Sequence, residues 1–201
     1  MFGLLLKGFI LGFSVSAPIG PIGVLCVRRT AADGFTAGWA VGLGATAADS
    51  LYAAVAALGL TAVASSLVAW EKPLRLIAAV ILFSLAWRAA QPREPDRPVS
   101  DRRGGFLGGF GSGFAILITN PAAILIFGAV FAGVGLVGNQ GTTRAAAAIV
   151  VGVVLGSQAW WVLLNGVVSI LRKQLRARAF RVINVSSAVI LVAFGVLALL
   201  G

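Results

Sequence analysis

The sequence has no histidine and a single cysteine, Cys26. A disulfide within the chain needs two cysteines, and a Cys/His zinc site, a Cys-His dyad or an imidazole acid-base mechanism needs residues that are missing here. No GxxxxGK[ST] loop occurs either, which excludes ATP hydrolysis by a P-loop. We therefore predict that the protein is not an enzyme and that it holds no metal or other cofactor.

Charged residues are also scarce, at 11% of the chain against 59% hydrophobic residues, and the mean hydropathy is +1.00. So few charges cannot cover the surface of a soluble protein of 201 residues. A bilayer core of roughly 30 Å needs about 20 apolar residues per helical span. Because several such runs follow one another, the sequence predicts an all-α, polytopic membrane protein surrounded by lipid.

The uncharged stretches predict six transmembrane helices. They cover about residues 3–27, 34–60, 73–90, 105–136, 144–171 and 182–200. Between the third and fourth lies segment 91–104, where Pro92, Pro95 and Pro98 stand among charges, as is typical of a solvated linker. We expect a single membrane domain over 1–201, with repeat one at about 1–90 and repeat two at about 105–201.

The net charge of +10 comes from 16 Lys and Arg against 6 Asp and Glu, a balance that would indicate nucleic acid binding in a soluble protein. In the six-span arrangement, twelve basic residues fall on one side of the membrane and four on the other. The positive-inside rule then places both termini on the outer side. The charge is thus an orientation signal, and we expect no nucleic acid partner.

Glycine patterns recur in the two halves of the chain. GFxxGF begins at Gly8 and again 101 residues later at Gly109, and GxxxG begins at Gly38 and at Gly152. Since each half has three spans, an odd number, the two halves must have opposite orientations. Inverted repeats recur in secondary transporters, whose substrate lies near the midplane at the repeat interface. Close-packing glycines would also suit a homodimer.

Span one contains two prolines, which predict a break in its helix. Pro18 and Pro21 cannot donate hydrogen bonds to the carbonyls of Ser14 and Ala17. Pro21 suits the first turn of a new half-helix, whose free N–H groups would attract a carboxylate. A plain proline kink packed against a neighbouring helix is the alternative. The candidates for substrate binding here are Ser14, Ser16, Pro18, Gly20 and Pro21.

The fourth span contains a similar element, Thr119-Asn120-Pro121. Asparagine is a preferred N-cap and proline a preferred first helical residue, so the tripeptide predicts that helix four is also broken and restarts there. Restarts in both halves indicate a binding site between them. We therefore add Thr119, Asn120 and Pro121 to the substrate-binding candidates.

Asp49 is the one ionisable residue well inside a predicted span. Its insertion costs roughly 2.5 to 3.5 kcal/mol, which favours a function. It could couple transport to protons or pair with a substrate ammonium. The alternative is a carboxyl hydrogen-bonded between helices, for instance to Tyr52 or Asn165.

Other polar or aromatic residues of the spans have simpler interpretations. Gln158 and Asn165 could hold helices together by hydrogen bonds. The five tryptophans, which fall partly near predicted span ends, are expected to be interfacial anchors: Trp39, Trp70, Trp87, Trp160 and Trp161.

The motifs GFxxGFSVSAPIGPIGV and GSGFAILITNPAA, together with Asp49, resemble the lysine/homoserine exporter (LysE type) family of small six-span amino acid efflux proteins. The resemblance implies export of amino acids or similar solutes across a bacterial inner membrane, driven by an ion gradient, usually of protons. It gives motif roles to Pro18, Gly20, Pro21, Asp49, Asn120 and Pro121.

The chain departs from the family pattern at two places. Ala122 stands where the family often has lysine, and Ala78 with Ile81-Leu82 replaces a frequent Gly and Tyr-Leu pair.

We therefore expect a secondary transporter that exports amino acids or related small zwitterionic solutes, coupled to protons. One alternative is a metal or other cation efflux protein of the same fold, for which ligands are scarce. A second is a membrane oxidoreductase, which would need two cysteines within reach of each other. A third is a helper subunit that does not itself transport.

Overall fold

The computed structural model is all-α over the residues it describes, as the sequence predicts. The described residues are 1–17, 20–57, 71–90, 105–120, 123, 143–172 and 177–200. Their helices are α1 (Phe2–Ser16), α2 (Pro21–Asp33), α3 (Phe35–Ala57), α4 (Glu71–Ala90), α5 (Gly105–Ile118), α6 (Thr143–Leu171) and α7 (Ala177–Leu200). No strand occurs among these residues.

The expected break in span one separates α1 from α2, whose axes differ in direction by 79°. Gly20 is the N-cap of α2, with extended backbone, and Pro21 is the first helical residue. Proline suits that position because the N–H it lacks would have no partner within the helix. The new half-helix therefore begins where the sequence predicts. Pro18 lies outside the described residues.

Beyond the break, α2 runs further than expected. The predicted span ended near residue 27 and left Arg28 and Arg29 in a connection, whereas the helix continues to Asp33 and buries Arg28. No helix breaker interrupts it before Gly34, whose φ of 98° lies in the region that favours glycine. The chain turns there and enters α3 at Phe35.

In span four, α5 ends at Ile118, two residues before Asn120. The Asn120 N–H donates to the Leu117 carbonyl oxygen at 2.9 Å, and the Ala123 N–H donates to the Asn120 carbonyl oxygen at 3.1 Å. The helix thus stops at the expected element. Pro121, the predicted first residue of the restart, lies outside the described residues.

Among the described residues, Arg144–Leu171 is a helix long and apolar enough to cross a bilayer, and the bent pair α1–α2 qualifies if it is taken as one span. These correspond to predicted spans five and one. The other four spans stay predictions.

Two helix pairs pack closely through glycines, α1 against α6 and α3 against α5. A Cβ added at Gly156 of α6 would meet the Phe9 oxygen and the Phe13 nitrogen of α1. A Cβ added at Gly44 of α3 would meet the Phe110 oxygen and the Phe114 nitrogen of α5. Both contacts fall on the phenylalanines of a GFxxGF motif.

These contacts match Gly156 with Gly44, which changes the expected correspondence between the GxxxG patterns. Pairing Gly38 with Gly152 would have matched Gly156 with Gly42 instead. The two remaining glycines of α3 face α6. A Cβ added at Gly38 would meet the Asn165 amide, and one added at Gly42 would meet the Trp161 side chain. One face of α3 therefore packs on α5 and another admits large side chains of α6.

Gly111 and Gly113 of α5 provide a matched test of this packing. A methyl group at Gly113 would overlap the Val41 backbone, whereas nothing lies within 4 Å of the same position at Gly111. We expect Gly113→Ala to cost about 1–3 kcal/mol of stability, because α3 and α5 must move apart. Gly111→Ala should be neutral or slightly stabilising, since alanine favours helix. Thermal unfolding in detergent micelles compares the two, and equal melting temperatures would contradict the packing.

Candidate functional site

The carboxylate of Asp49 lies at a junction of three helices. Asp49, on α3, is only 3% exposed. Its Oδ2 accepts a hydrogen bond from Ser157 Oγ of α6 at 3.1 Å and one from Ser16 Oγ at 3.4 Å. Ser16 is the last residue of α1, directly before the helix break. The structure thus brings together two residues that the sequence singles out, Ser16 and Asp49, and adds Ser157.

Ser157 is the centre of a longer chain of hydrogen bonds. Its Oγ lies 2.9 Å from Ser16 Oγ and 2.9 Å from Thr46 Oγ1. Gln158 Nε2 donates to Thr46 Oγ1 at 2.6 Å, and Trp39 Nε1 donates to Gln158 Oε1 at 2.9 Å. Polar side chains from α1, α3 and α6 are therefore connected from the acid to Trp39.

Neither Ser157 nor Thr46 belongs to a motif that the sequence singles out. A lone hydroxyl residue in an apolar helix is common and costs little to insert. The available signal was the pair Ser157-Gln158, two consecutive polar residues inside an otherwise apolar run.

A second buried bridge joins α2 to α6. Thr30 Oγ1 donates to Asn165 Oδ1, and Asn165 Nδ2 donates to the Trp161 carbonyl oxygen at 2.7 Å. Thr30 and Asn165 are both completely buried. Asn165 therefore holds helices together, which is the simpler of the interpretations that the sequence allows.

A cavity of about 140 Å³ opens beside Asp49. A water molecule takes roughly 30 Å³ in the liquid, so the cavity has room for about five water-sized groups, which suits a small organic solute. Five of the predicted site residues line it, namely Ser16, Gly20, Pro21, Asp49 and Asn120. The other lining residues are Val15, Ile22, Gly23, Ala45, Leu117, Ala123 and Trp161.

Ser14 and Thr119, two other predicted site residues, do not line the cavity. Ser14 is exposed and is not part of the cavity wall. Thr119 is buried, and its hydroxyl donates to the Ala115 carbonyl oxygen at 2.6 Å. Pro18 and Pro121 lie outside the described residues, so their roles stay predictions.

Tyr52 stabilises the end of α5 next to the cavity. Its hydroxyl donates to the Ile118 carbonyl oxygen at 2.9 Å. The carbonyls at the end of a helix lack partners within the helix. A side chain of α3 therefore satisfies one at the point where α5 stops beside Asn120.

Trp161 is not the interfacial anchor that the sequence suggests. It is 3% exposed and forms part of the cavity wall. It faces Gly42 of α3, where even a methyl group would collide with its Cγ, so the glycine makes room for the indole. Trp87, by contrast, is 71% exposed, as an anchor would be.

Within the described part of the chain, no three His, Cys, Asp or Glu side chains come together to hold a metal ion. The acid beside the cavity instead has hydroxyl neighbours. This arrangement can bind a proton or a cationic group of a small organic molecule.

Comparison with known proteins identifies the family. The family model described as LysE type translocator matches residues 13–201, nearly the whole chain. The chain belongs to the LysE type translocator family. The resemblance found in the sequence motifs is thereby confirmed. Members of this family are integral inner-membrane transporters, and the family is not one of enzymes.

One relative of this LysE type translocator is the "Putative amino acid efflux protein YcgF" of Bacillus subtilis (strain 168). The two are 30% identical over 136 residues, which is 64% of each chain. The match thus spans slightly less than two thirds of the relative's length. No solved structure matches this translocator significantly.

Ser157 provides a test of the hydrogen-bonded junction. Ser157→Ala removes the hydroxyl shared by Asp49, Ser16 and Thr46, and the hydrogen bond that Asp49 loses, one to a charged group, contributes about 1.5–3 kcal/mol. We expect a lower melting temperature in detergent micelles. Ser186→Ala is the control, because Ser186 is exposed and bonds only the Ile183 carbonyl oxygen among the contacts described. A Ser157→Ala protein as stable as the control would contradict the junction.

Proposed function

We propose that this LysE type translocator exports amino acids or closely related small zwitterionic solutes across the bacterial inner membrane, and that an inward flow of protons drives the export. The observation that carries the proposal is the cavity beside Asp49. It combines a buried carboxylate with the first turn of a helix, and these are complementary to the two charges of a zwitterion. The family and the name of the relative agree with it.

The first turn of α2 suits the carboxylate of the solute. The N–H groups of Ile22 and Gly23 have no acceptor one turn earlier within α2, since the helix begins at Pro21. Gly20, the N-cap residue, has no side chain to cap them. Ile22 and Gly23 both line the cavity. N–H groups without an acceptor in their own helix and the positive end of the helix dipole favour an anion at this point.

Asp49 suits the ammonium group of the solute or a proton. Ser157 and Ser16 donate to its Oδ2, so the ionised carboxylate has hydrogen-bond partners inside the protein. A carboxylate can hold the ammonium or the proton but not both at full strength. Competition between them would couple the release of one to the binding of the other, which is the basis of exchange in opposite directions.

The proposed architecture is six transmembrane helices in two inverted repeats, with both termini on the outer side. The matched contacts of Gly44 and Gly156 support it, because each touches the same two positions of a GFxxGF motif. In this arrangement repeat one spans about 1–90, the linker 91–104 and repeat two about 105–201. The two helix breaks would then meet the solute from opposite sides of the membrane.

Asp49→Asn tests the coupling, because asparagine keeps the shape of the side chain and loses the charge. We expect proteoliposomes with this variant to lose amino acid accumulation driven by a pH gradient, with at least a tenfold lower initial rate. Asp33→Asn, at the end of α2 and outside the cavity wall, is the control and should transport at the wild-type rate.

The measurement is uptake of radiolabelled L-lysine, L-leucine and L-threonine into vesicles of inverted orientation with an imposed pH gradient. Full gradient-driven transport by Asp49→Asn would remove the proton-coupling claim. If the wild-type protein transported neither these three nor any other amino acid, the proposal of amino acid export would be wrong.

A further inference from the structure

Trp161 has an unusual environment for a buried tryptophan. Its indole Nε1 is buried and has no hydrogen-bond partner among the residues that the structure describes. Buried donors are nearly always paired, and tryptophan N–H groups usually find an acceptor. The side chain is at the same time part of the cavity wall, together with Asp49 and the first turn of α2. The ring of Trp161 thus borders the cavity while its buried N–H lacks an acceptor among the described residues, and a solute in the cavity is the candidate to supply one.

The packing around Trp161 holds the indole at this place. Gly42 of α3 leaves space for its Cβ, Cγ and Cδ2. One turn earlier on α6, Ser157 contacts Asp49, and one turn later Asn165 is bonded to Thr30 and to the Trp161 carbonyl oxygen. Two buried polar bridges therefore fix α6 on either side of the indole. Neither bridge includes the indole N–H, which has no partner among the described residues.

Trp39, also at the interface between α3 and α6, has a paired indole N–H. Its Nε1 donates to Gln158 Oε1 at 2.9 Å, so the same interface satisfies that N–H completely. The difference between the two tryptophans follows their position, since Trp161 lines the cavity and Trp39 does not.

We propose that Trp161 is a substrate-positioning residue whose indole N–H donates a hydrogen bond to the carboxylate of the transported solute. This inference rests on the proposed function and adds to it a specific recognition residue. The carboxylate is held by the α2 N–H groups and by Trp161, and the ammonium faces Asp49. A hydrogen bond to a charged acceptor is stronger than one to a neutral acceptor, so Trp161 favours a carboxylate over a carboxamide.

The test compares Trp161→Phe with Trp160→Phe in proteoliposomes. Phenylalanine keeps an aromatic ring and removes the N–H. Trp160 is adjacent, is half-buried and packs edge-on against Phe13 at 5.5 Å between ring centroids, and it is not part of the cavity wall. We expect Trp161→Phe to raise KM for a transported amino acid roughly tenfold or more, as the loss of a hydrogen bond to a charged group does. Its maximal rate should stay within about a factor of two and Trp160→Phe should match wild type.

A second readout separates recognition from structure. In wild type, an amino acid should inhibit transport at a lower concentration than its carboxamide does. In Trp161→Phe, the ratio of these two inhibitory concentrations should fall by most of the factor by which KM rises. A rise that is equal for the acid and the amide, or an unchanged KM, would overturn the role of Trp161 and leave export standing. Absence of transport of all amino acids by wild type would overturn both.

The wild-type protein gives an independent measurement if Trp161→Phe fails to fold. In protein labelled with nitrogen-15 at the indoles, the Trp161 N–H proton resonance should move downfield when the transported amino acid is added. Single Trp→Phe changes at the other four tryptophans assign it by elimination. A Trp161 resonance that does not move at saturating amino acid would contradict the proposal.

Discussion

The site is organised around the hydrogen bonds that the buried carboxylate of Asp49 accepts. An ionised group inside a helical assembly needs hydrogen-bond partners, and here Ser157 of α6 and Ser16 at the end of α1 provide them. Ser16 is the last residue of α1, directly before the break between α1 and α2. On the other side of the break, the first turn of α2 lines the same cavity as Asp49 and Ser16.

Small residues make this junction possible. Glycines let α1 approach α6 and let α3 approach α5 to the point where an added methyl group would overlap backbone atoms. Along the face of α3 towards α6, Gly38 and Gly42 admit Asn165 and Trp161, and Asp49 then meets Ser157. A helix with larger residues at these positions would hold α6 further away, and the hydrogen bonds at the acid would not form. Close packing thus sets the geometry of the polar site.

Much of this could be predicted from local sequence. The restart at Pro21 follows from the chemistry of proline, and the importance of Asp49 follows from the cost of an acid in an apolar helix. Ser157, Thr46 and the burial of Trp161 could not be predicted, because they depend on which way α6 is rotated and on its register against α3. Sequence patterns of period four leave that register open. The same limit explains why Gly44, and not Gly42, corresponds by contact to Gly156.

In the proposed mechanism, solute and proton compete for Asp49. The most direct test is isothermal titration of the purified protein in detergent with a transported amino acid, repeated in buffers of different ionisation enthalpy. The dependence of the observed heat on the buffer gives the number of protons exchanged on binding. We predict that binding releases protons from the wild-type protein when the pH is low enough for Asp49 to be protonated, and that Asp49→Asn releases none. Binding to the wild-type protein without proton release at any pH would contradict the claim.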